Sequence, residues 1–371
     1  MIPFNKPYLT GNETTYIEDA VQRGKISGNG YYTKKCQSFF ENRFNLKKAL
    51  LTTSCTDALE MCAMLANIEQ GDEVIVPSYT FVSTALAFVR QGAVIKFADS
   101  KPDNPNINTK NLEALISART KAIVVVHYAG VACNMDSIMF LANKYNLIVI
   151  EDAAQAICSN YKGKPLGSIG HLSAFSFHET KNIISGEGGL LVINDDRFID
   201  RAEILWEKGT NRAEFFRGNI NKYGWVDTGS SFLPSDIIAA FLWAQLENID
   251  TIQKKRLEHW HFYHSELIEW AKSNSIKLMP KPNKETNNGH MFYIICKSQS
   301  QRQELINHLR NRDILAVFHY ISLHSSKYYT DKHDGRILSN SDKFTERLLR
   351  LPMFFELNPD KVVKAIKEFS S

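Results

Sequence analysis

The stretch LIVIED (147–152) is apolar at four successive positions and then ends on two carboxylates. Side chains alternate across a strand, so a run apolar at every position is buried on both faces. That pattern belongs to a parallel sheet covered by helices. Working outward, six more runs read the same way: ALLTT (49–53), EVIVP (73–77), VIKFAD (94–99), KAIVVVH (121–127), LSAFSF (172–177) and GLLVIN (189–194). Helix-length segments intervene, such as SCTDALEMCAMLANI after the first run and SYTFVSTALAFVRQG after the second. The alternation predicts an α/β class with a seven-stranded, mostly parallel sheet.

Beyond about residue 245 the pattern changes. IDTIQKKRLEHWHFYHSELIEWAK (249–272) is a long amphipathic helix, and HMFYIICK (290–297) is a strand. A helix over 301–312, a strand LAVFHY (315–320) and two further helices complete the chain. The expectation is a large α/β domain over 1–245, including an N-terminal arm, and a smaller α+β domain over 246–371. PKPNKETNNG (280–289) is polar and turn-rich and reads as a loop inside the smaller domain.

Composition removes several classes of function. The 371 residues carry a net charge of +4, and the nearest things to basic runs are Lys47-Lys48 and Lys254-Lys255-Arg256. These read as solvated helix faces, so no nucleic acid partner is expected. No segment resembles a secretion signal or a membrane span, so the expected location is the cytoplasm, without a membrane partner. The six cysteines form no CxxC pair and no zinc-like spacing with histidine, and no metal is expected. HETKN (178–182) begins like the zinc motif HExxH, but Asn182 stands where the second ligand belongs. GNGYY (28–32) lacks the third glycine of a dinucleotide fingerprint and precedes the sheet.

Ligands of open α/β sheets bind beyond the carboxyl ends of the strands, and the polar clusters of this chain fall there. ALLTT runs into Ser54-Cys55-Thr56, whose hydroxyls and helix-opening N–H groups can hold a phosphate. EVIVP runs into Ser78-Tyr79-Thr80-Phe81, which brings rings to the same edge. LIVIED supplies Glu151, Asp152 and then Gln155, and FSFHETKN (175–182) supplies Ser176, His178 and Lys181. Each has a bland reading: Ser-x-Thr is often only a helix cap, Phe81 often core, and a strand-end lysine often meets water. Their coincidence on one edge suits an anionic aromatic cofactor with a basic ring nitrogen and an aldehyde. Pyridoxal 5'-phosphate (PLP) is that cofactor: it needs a lysine anchor, a carboxylate at the ring nitrogen and donors for its phosphate. For His127 and His178 structural roles are at least as well supported as chemical ones, and His290 has no assigned role.

"VIEDAAQA", "AFSFHETKN" and "GEGG" together resemble the sugar-nucleotide aminotransferases of the DegT type, which have the aspartate-aminotransferase fold (PLP-dependent transferase fold type I). The resemblance runs from "PFNKPYLTGNE" through "PSYTFVSTA" and "VVHYAGVACNMD" to "VFHYISLH" and "RLLRLPMF". It implies that Lys181 is the Schiff-base lysine and the general acid and base. Asp152 then partners the pyridine nitrogen, and Gln155 lies beside the phenolic oxygen. Ser54, Cys55, Thr56 and Ser176 form the phosphate site, with Phe81 over the ring. His319, Tyr320 and His324 match a motif at the sugar site. Many relatives carry DxGxNxR, whose asparagine reaches the phosphate of the neighbouring subunit. Here Ser231 stands at that place, able to donate one hydrogen bond. Cys55 stands where glycine is common, and its N–H serves if its φ is negative.

Within the family the chain is most similar to enzymes that aminate C4 of a dTDP-4-keto-6-deoxyhexose. With L-glutamate as donor, the product is a dTDP-4-amino-4,6-dideoxyhexose, glucose or galactose epimer, for a surface polysaccharide such as O-antigen or common antigen. Amination at C3 of a dTDP-3-keto sugar and a non-catalytic PLP-binding regulator stay open as alternatives. The resemblance also implies a homodimer with shared active sites. The segment 206–232 is long for a connection and rich in aromatic and basic residues, which fits a partner-covered segment. Its Arg212 and Arg217 suit the diphosphate of a nucleotide sugar.

Overall fold

The computed structural model describes residues 1–282 and 287–370. All seven apolar runs are strands of one sheet: β1 (Lys48–Thr52), β2 (Glu73–Pro77), β3 (Val94–Ala98), β4 (Thr120–Val126), β5 (Ile148–Asp152), β8 (Leu172–Ser176) and β9 (Gly189–Ile193). A small hairpin, β6 (Asn160–Tyr161) with β7 (Lys164–Pro165), lies outside it. The order is β1-β9-β8-β5-β4-β2-β3. Six strands share one direction, and β9 runs against them between β1 and β8. The connection 177–188 holds no helix to carry a crossover, so the chain turns straight back and pairs antiparallel.

Both faces of the sheet are covered, as runs without polar alternation require. Leu50, Val74, Val124, Ile150 and Leu191 pack under α3 (Cys55–Leu65), α4 (Ser83–Val89) and α6 (Ile199–Trp206). Their neighbours Ala49, Leu51, Leu190 and Val192 pack on α1 (Glu13–Gln22), α2 (Tyr31–Phe44) and α8 (Asp236–Glu247), while Ile123, Val125 and Val149 meet α5 (Met135–Tyr145). Asp236 ties this second layer together. Its carboxylate accepts the N–H groups of Tyr32 and Thr33 and the Thr33 hydroxyl, capping α2 from a distant part of the chain. A Cβ at Gly30 would stand 2.5 Å from that carboxylate, so the approach requires glycine.

The smaller part is an antiparallel sheet of β10 (Lys277–Leu278), β11 (Phe292–Ile295) and β12 (Leu348–Leu351), covered by α9 (Ile249–Ser273), α10 (Gln299–Arg310), α11 (Ser339–Arg347) and α12 (Pro359–Lys367). The expected strand LAVFHY does not form. Only Val317 makes a bridge, to Arg350, and Phe318 is exposed; beyond that single pairing the run leaves the sheet, and His319 and Tyr320 line the cavity described below. The fully buried leucines of β12 take the place beside β11.

The expected domain division at 245/246 falls inside α8, just before the break between helices at Asn248. Helix α9 joins the two parts: Ile249 and Ile252 pack in the large core, Trp260, Tyr263 and Leu267 in the small one. Residues 283–286 of the expected 280–289 loop lie outside the described residues. Asn287 and Asn288 that follow are in a loop, as expected, but buried: the Asn287 oxygen accepts the Gly289 N–H, and the Asn288 amide reaches buried carbonyls. Asn288 Nδ2 donates to the carbonyls of Gln155 and Ile157 (2.7 and 2.9 Å). Gly130, at φ +76°, makes room for the Asn288 amide; a Cβ there would collide with it. Among the described residues, no helix is long and apolar enough to cross a membrane.

Candidate active site

At the carboxyl ends of β1, β2, β5 and β8, facing the smaller sheet, lies a cavity of about 410 Å³. Ser54, Cys55, Thr56, Phe81, Asp152, Gln155, Ser176, Lys181, His319 and Tyr320 all line it. The cavity therefore gathers ten of the residues chosen from sequence, eight from the sheet edge and His319 and Tyr320 from the smaller part.

Strand β5 sends its last two carboxylates to opposite faces. Asp152 enters the cavity, where its Oδ2 accepts the Thr84 hydroxyl (2.7 Å) and its Oδ1 the Ala154 N–H (3.2 Å). Burial raises its carboxyl above the ordinary aspartate range, against the pull of Thr84 and Ala154. A carboxylate has about four acceptor sites, so capacity is left for a cationic N–H donor. Glu151 points the other way, into His127 Nε2 at 2.8 Å and the N–H groups of Gly167, Ile169 and Gly170 at 2.6–2.8 Å. Burial opposes the Glu151 charge, but His127 and these donors hold its carboxyl below the usual value. Burial likewise opposes the His127 charge, yet bonds to Cys133 and Glu151 raise its imidazole to about 10. His127 is thus a locked partner of Glu151 beneath the site.

Lys181 follows β8 in a turn closed by its own N–H on the His178 carbonyl (2.9 Å). Its neighbour Asn182 pins that turn. The Asn182 amide donates to Gln253 and to the Asn288 carbonyl (both 2.8 Å), and its oxygen meets His290 Nδ1 (2.8 Å). The residue that disqualifies a zinc motif is therefore the one that seats the lysine. Burial lowers the Lys181 amine below the ordinary lysine value; Cys55 and Asp152 act against that, and Arg350 adds to it. Among the described residues, Lys181 Nζ makes no ion pair, which leaves it free as an amine.

The anion end is the N-terminus of α3. Ser54 is its cap: the hydroxyl accepts the Asp57 N–H (3.1 Å) and donates to the Asp57 carboxylate (3.0 Å). That corrects the expectation of a free Ser54 hydroxyl, since both its roles are taken. The N–H groups of Cys55 and Thr56, first in the helix, have no acceptor within it. Cys55 is not among the residues with positive φ, so the departure from glycine costs nothing there. Thr56 and Ser83 hydroxyls meet at 2.8 Å beside it. A Cβ on Gly189 would stand 2.4 Å from Cys55 N, so glycine lets β9 run tightly against this helix start.

Aromatic rings close the cavity. Phe81 is 56% exposed, a large apolar ring turned toward the open space. His319 stacks on Tyr320 (centroids 3.5 Å apart) and its Nδ1 meets the Tyr128 hydroxyl at 2.6 Å. Burial drives the His319 imidazole well below its ordinary value, so it is neutral. Gln155 Oε1 accepts the Ala129 N–H (2.6 Å), which turns its NH2 toward the Tyr320 hydroxyl and the cavity (3.2 Å).

Four of the chosen residues lie elsewhere. His324 bonds Ser78 (2.7 Å) and faces Asp342, joining the smaller part to the end of β2 away from the cavity wall. Ser231 is exposed and bridges Glu207. Arg217 pairs with Glu203 (2.7 Å) and Arg212, in α7 (Arg212–Phe216), stands 3.8 Å from Glu207. Within one chain, these three do not reach the cavity, because the 206–232 segment folds back on α6 through those acids.

Sequence reasoning missed Thr84, His290 and Arg350. Thr84 stands in the first turn of α4, fully buried, and meets Asp152 from behind the cavity wall. His290 and Arg350 are the polar residues of otherwise apolar runs, "HMFYII" and "LLRLPMF", and that interruption was the available signal.

An unpaired amine, a buried carboxylate with acceptor capacity, a helix start with free N–H groups and an exposed ring together fit PLP. The comparisons agree. The DegT/DnrJ/EryC1/StrS aminotransferase family matches residues 7–370. GDP-perosamine synthase of Escherichia coli O157:H7 is 32% identical over 375 residues, covering 100% of this chain and 99% of that one; the enzyme of the same name from Vibrio cholerae is 30% identical, covering 98% and 96%. Among solved structures, Spr1654 from Streptococcus pneumoniae in its PLP form has a TM-score of 0.88 at 25% identity, covering 99% of this chain and 97% of that one. Helicobacter pylori PseC, an aminotransferase of pseudoaminic acid biosynthesis, has a TM-score of 0.89 at 25% identity and covers 99% and 100%. With fold, donor set and full-length match in agreement, this chain belongs to the DegT/DnrJ/EryC1/StrS aminotransferase family and is a PLP-dependent aminotransferase.

Proposed function

We propose that the chain moves an amino group from L-glutamate to C4 of a dTDP-4-keto-6-deoxyhexose, in the cytoplasm, for a surface polysaccharide. One observation carries the reaction type: the Lys181 amine, its charge disfavoured by burial, shares a cavity with the buried Asp152 carboxylate. When bound, PLP supplies the electron-accepting ring for both halves of the cycle. Lys181 would anchor it, and its amine, neutral when free, is the group placed to take the proton from the donor's Cα. In the second half the same amine delivers a proton to the sugar's C4. A low pKa makes the amine competent as base at neutral pH. Asp152 holds the ring nitrogen by a charge-assisted hydrogen bond, and Thr84 orients Asp152. The Cys55 and Thr56 N–H groups, with Ser176, hold the phosphate. Ser54 contributes by capping that helix. Gln155 faces the phenolic oxygen, and Phe81 covers the ring. His319 and Tyr320 are neutral donors suited to a sugar's hydroxyl groups.

The nucleotide part is read from the family resemblance. A second reading keeps the chemistry and replaces dTDP by GDP, favoured by the two GDP-perosamine synthases among the relatives. The site is read as shared in a homodimer. A second cavity of about 610 Å³ adjoins the first, lined by Phe81, Leu86, Phe318, Ile321 and Tyr328, and Trp225 of the 206–232 segment is 84% exposed. A two-fold partner's segment covering that groove would bury both apolar surfaces and bring Ser231, Arg212 and Arg217 toward the cavity. Mixing inactive Lys181→Ala with inactive Arg217→Ala protein should then restore part of the activity; a fully active monomer rejects sharing. For the reaction, the cofactor band should bleach with L-glutamate and return on adding the 4-keto sugar. The nucleotide that restores it, dTDP or GDP, decides between the readings, and an unmoved band rejects both.

A further inference from the structure

His290 stands two residues before β11, in the smaller part, with its ring on the cavity wall. All but one of its polar atoms are committed. Its backbone N–H donates to Asn288 Oδ1 (3.0 Å), its carbonyl accepts Arg256 Nη2 (2.7 Å), and its Nδ1 meets Asn182 Oδ1 (2.8 Å). The Asn182 contact fixes the tautomer. Its NH2 donates to the Asn288 carbonyl, which can only accept, so the Asn182 oxygen is the atom that faces the ring. Nδ1 then carries the proton, and Nε2 is left as a lone pair. Burial, with the charges of Lys181, Arg256 and Arg350, holds the imidazole well below its ordinary value, so it is neutral. Among the described residues Nε2 meets no hydrogen-bond partner, and it is not sealed off, so it opens on the cavity. The asparagine that pins the Lys181 turn thus also aims a fixed acceptor into the same space.

We propose that His290 Nε2 accepts the C3 hydroxyl of the hexose and makes the enzyme require it. A lone pair repels an anion and takes only an O–H or N–H, and few groups in the reaction offer one. The cofactor's phosphate and phenolic oxygen are acceptors, and its ring N–H belongs to Asp152. The amino donor's carboxylates are acceptors too, and its amine is the reacting group. The Lys181 charge is near enough to lower the His290 imidazole, but no hydrogen bond joins the two side chains. The sugar's hydroxyl groups remain. In a 4-keto-6-deoxyhexose the reacting carbon has two carbon neighbours: C5 carries the methyl group and C3 a hydroxyl. Since C4 must approach Lys181, the C3 hydroxyl comes to the end of the cavity that His290 lines. A buried acceptor built for one hydroxyl rejects a ligand without it, because the lone pair is then left unpaired. The C4 geometry comes from the proposed function, on which this assignment rests.

The test separates the two half-reactions. His290→Asn keeps a donor for Asn182 and removes the acceptor from the cavity; His290→Gln returns an acceptor at the Nε2 position. Loss of the cofactor band with L-glutamate is followed first, with melting temperature as the fold control. Its return is then followed with the 4-keto sugar and with the 3-deoxy analogue of that sugar. Wild type should use the 3-deoxy sugar with an efficiency lower by roughly 10-fold or more. His290→Asn should lose as much with the 3-hydroxy sugar and no longer distinguish the two, the cycle that isolates the contact. Its glutamate half-reaction should be unchanged, and His290→Gln should recover part of the sugar efficiency. Calorimetry with the 4-hydroxy nucleotide sugar, which cannot react, should show the same loss of affinity in His290→Asn. A wild type that uses both sugars equally overturns this assignment alone, and that arm stands even if a variant fails to fold. So does a His290→Asn enzyme that still prefers the 3-hydroxy sugar. A His290→Asn enzyme slowed equally in both half-reactions also overturns it, since His290 would then act on Lys181. A wild type that glutamate converts but no 4-keto sugar returns overturns the function and the assignment together.

Discussion

Replacing Thr84 by valine removes one hydroxyl and keeps the branched shape of a fully buried side chain. That hydroxyl donates to Asp152 Oδ2 at 2.7 Å and meets the Thr80 hydroxyl at 2.8 Å. Without it Asp152 keeps the Ala154 N–H alone, and burial, which already raises its carboxyl, acts with less opposition. A hydrogen bond to a charged group contributes about 1.5–3 kcal/mol. If Asp152 must be ionised while negative charge flows toward the ring nitrogen, that loss appears in the barrier and slows turnover by about 10- to 160-fold. The assay is rapid mixing of the loaded enzyme with saturating glutamate, which separates the rate from donor affinity. Thr84→Ser, which keeps the hydroxyl, should recover most of the rate. A Thr84→Val enzyme within twofold of wild type would refute the reasoning. So would a Thr84→Ser enzyme as slow as the valine variant, since packing would then be the cause.

Asp152→Asn should cost far more, on the order of 4 kcal/mol or about a thousandfold in rate; unchanged kinetics would leave Asp152 a structural residue of the β5 end only. The same carboxyl gives a pH signature in the apoprotein. Its folded pKa is raised by burial, so it is an acid that the fold prefers neutral. Its stability contribution is full below the unfolded value, near pH 4, and fades as pH rises toward the folded value. Apo Asp152→Asn should therefore gain stability relative to apo wild type as pH rises from about 4, with PLP reversing the trend; parallel melting curves would contradict this. His127→Gln or Glu151→Gln should each destabilise by about 3–5 kcal/mol, because each strands a buried charge. Since His127 is raised to about 10, its contribution is full below about pH 6.5 and lost as pH rises through about 10, which denaturant titrations at several pH values would read. Lys181→Ala and Lys181→Arg should abolish turnover while leaving the melting temperature near wild type; residual near-normal turnover would remove Lys181 from its role.

The sheet was legible because seven runs carry no polar alternation, and burial on both faces leaves one architecture. Strand direction was less legible: GLLVIN looks like its neighbours, and only the helix-free 177–188 connection marks β9 as antiparallel. The smaller part misled for the opposite reason. LAVFHY has strand composition but turns Phe318 outward and pairs only at Val317, whereas LLRL is interrupted by Arg350 and still pairs. At the site, side chains carried by strand ends were readable, because a strand end has a fixed place in this fold. Ser54 was readable as a position but not as a role, since cap and phosphate donor share one sequence pattern. His290 and Arg350 reach the cavity through tertiary packing, and Thr84 reaches Asp152 from behind its wall; the polar breaks in two apolar runs hinted at the first two without placing them. The 206–232 segment was readable as unusual in composition; its Arg212 and Arg217 turn out paired with Glu207 and Glu203 in the single chain.

The most direct test of the central reading is the product of dTDP-4-keto-6-deoxyglucose with 15N-labelled L-glutamate, analysed by NMR. The account predicts a 15N amine bonded to C4 of the hexose, formed in step with 2-oxoglutarate and absent with Lys181→Ala. Label at C3, or release of 2-oxoglutarate with no nitrogen on the sugar, would contradict it.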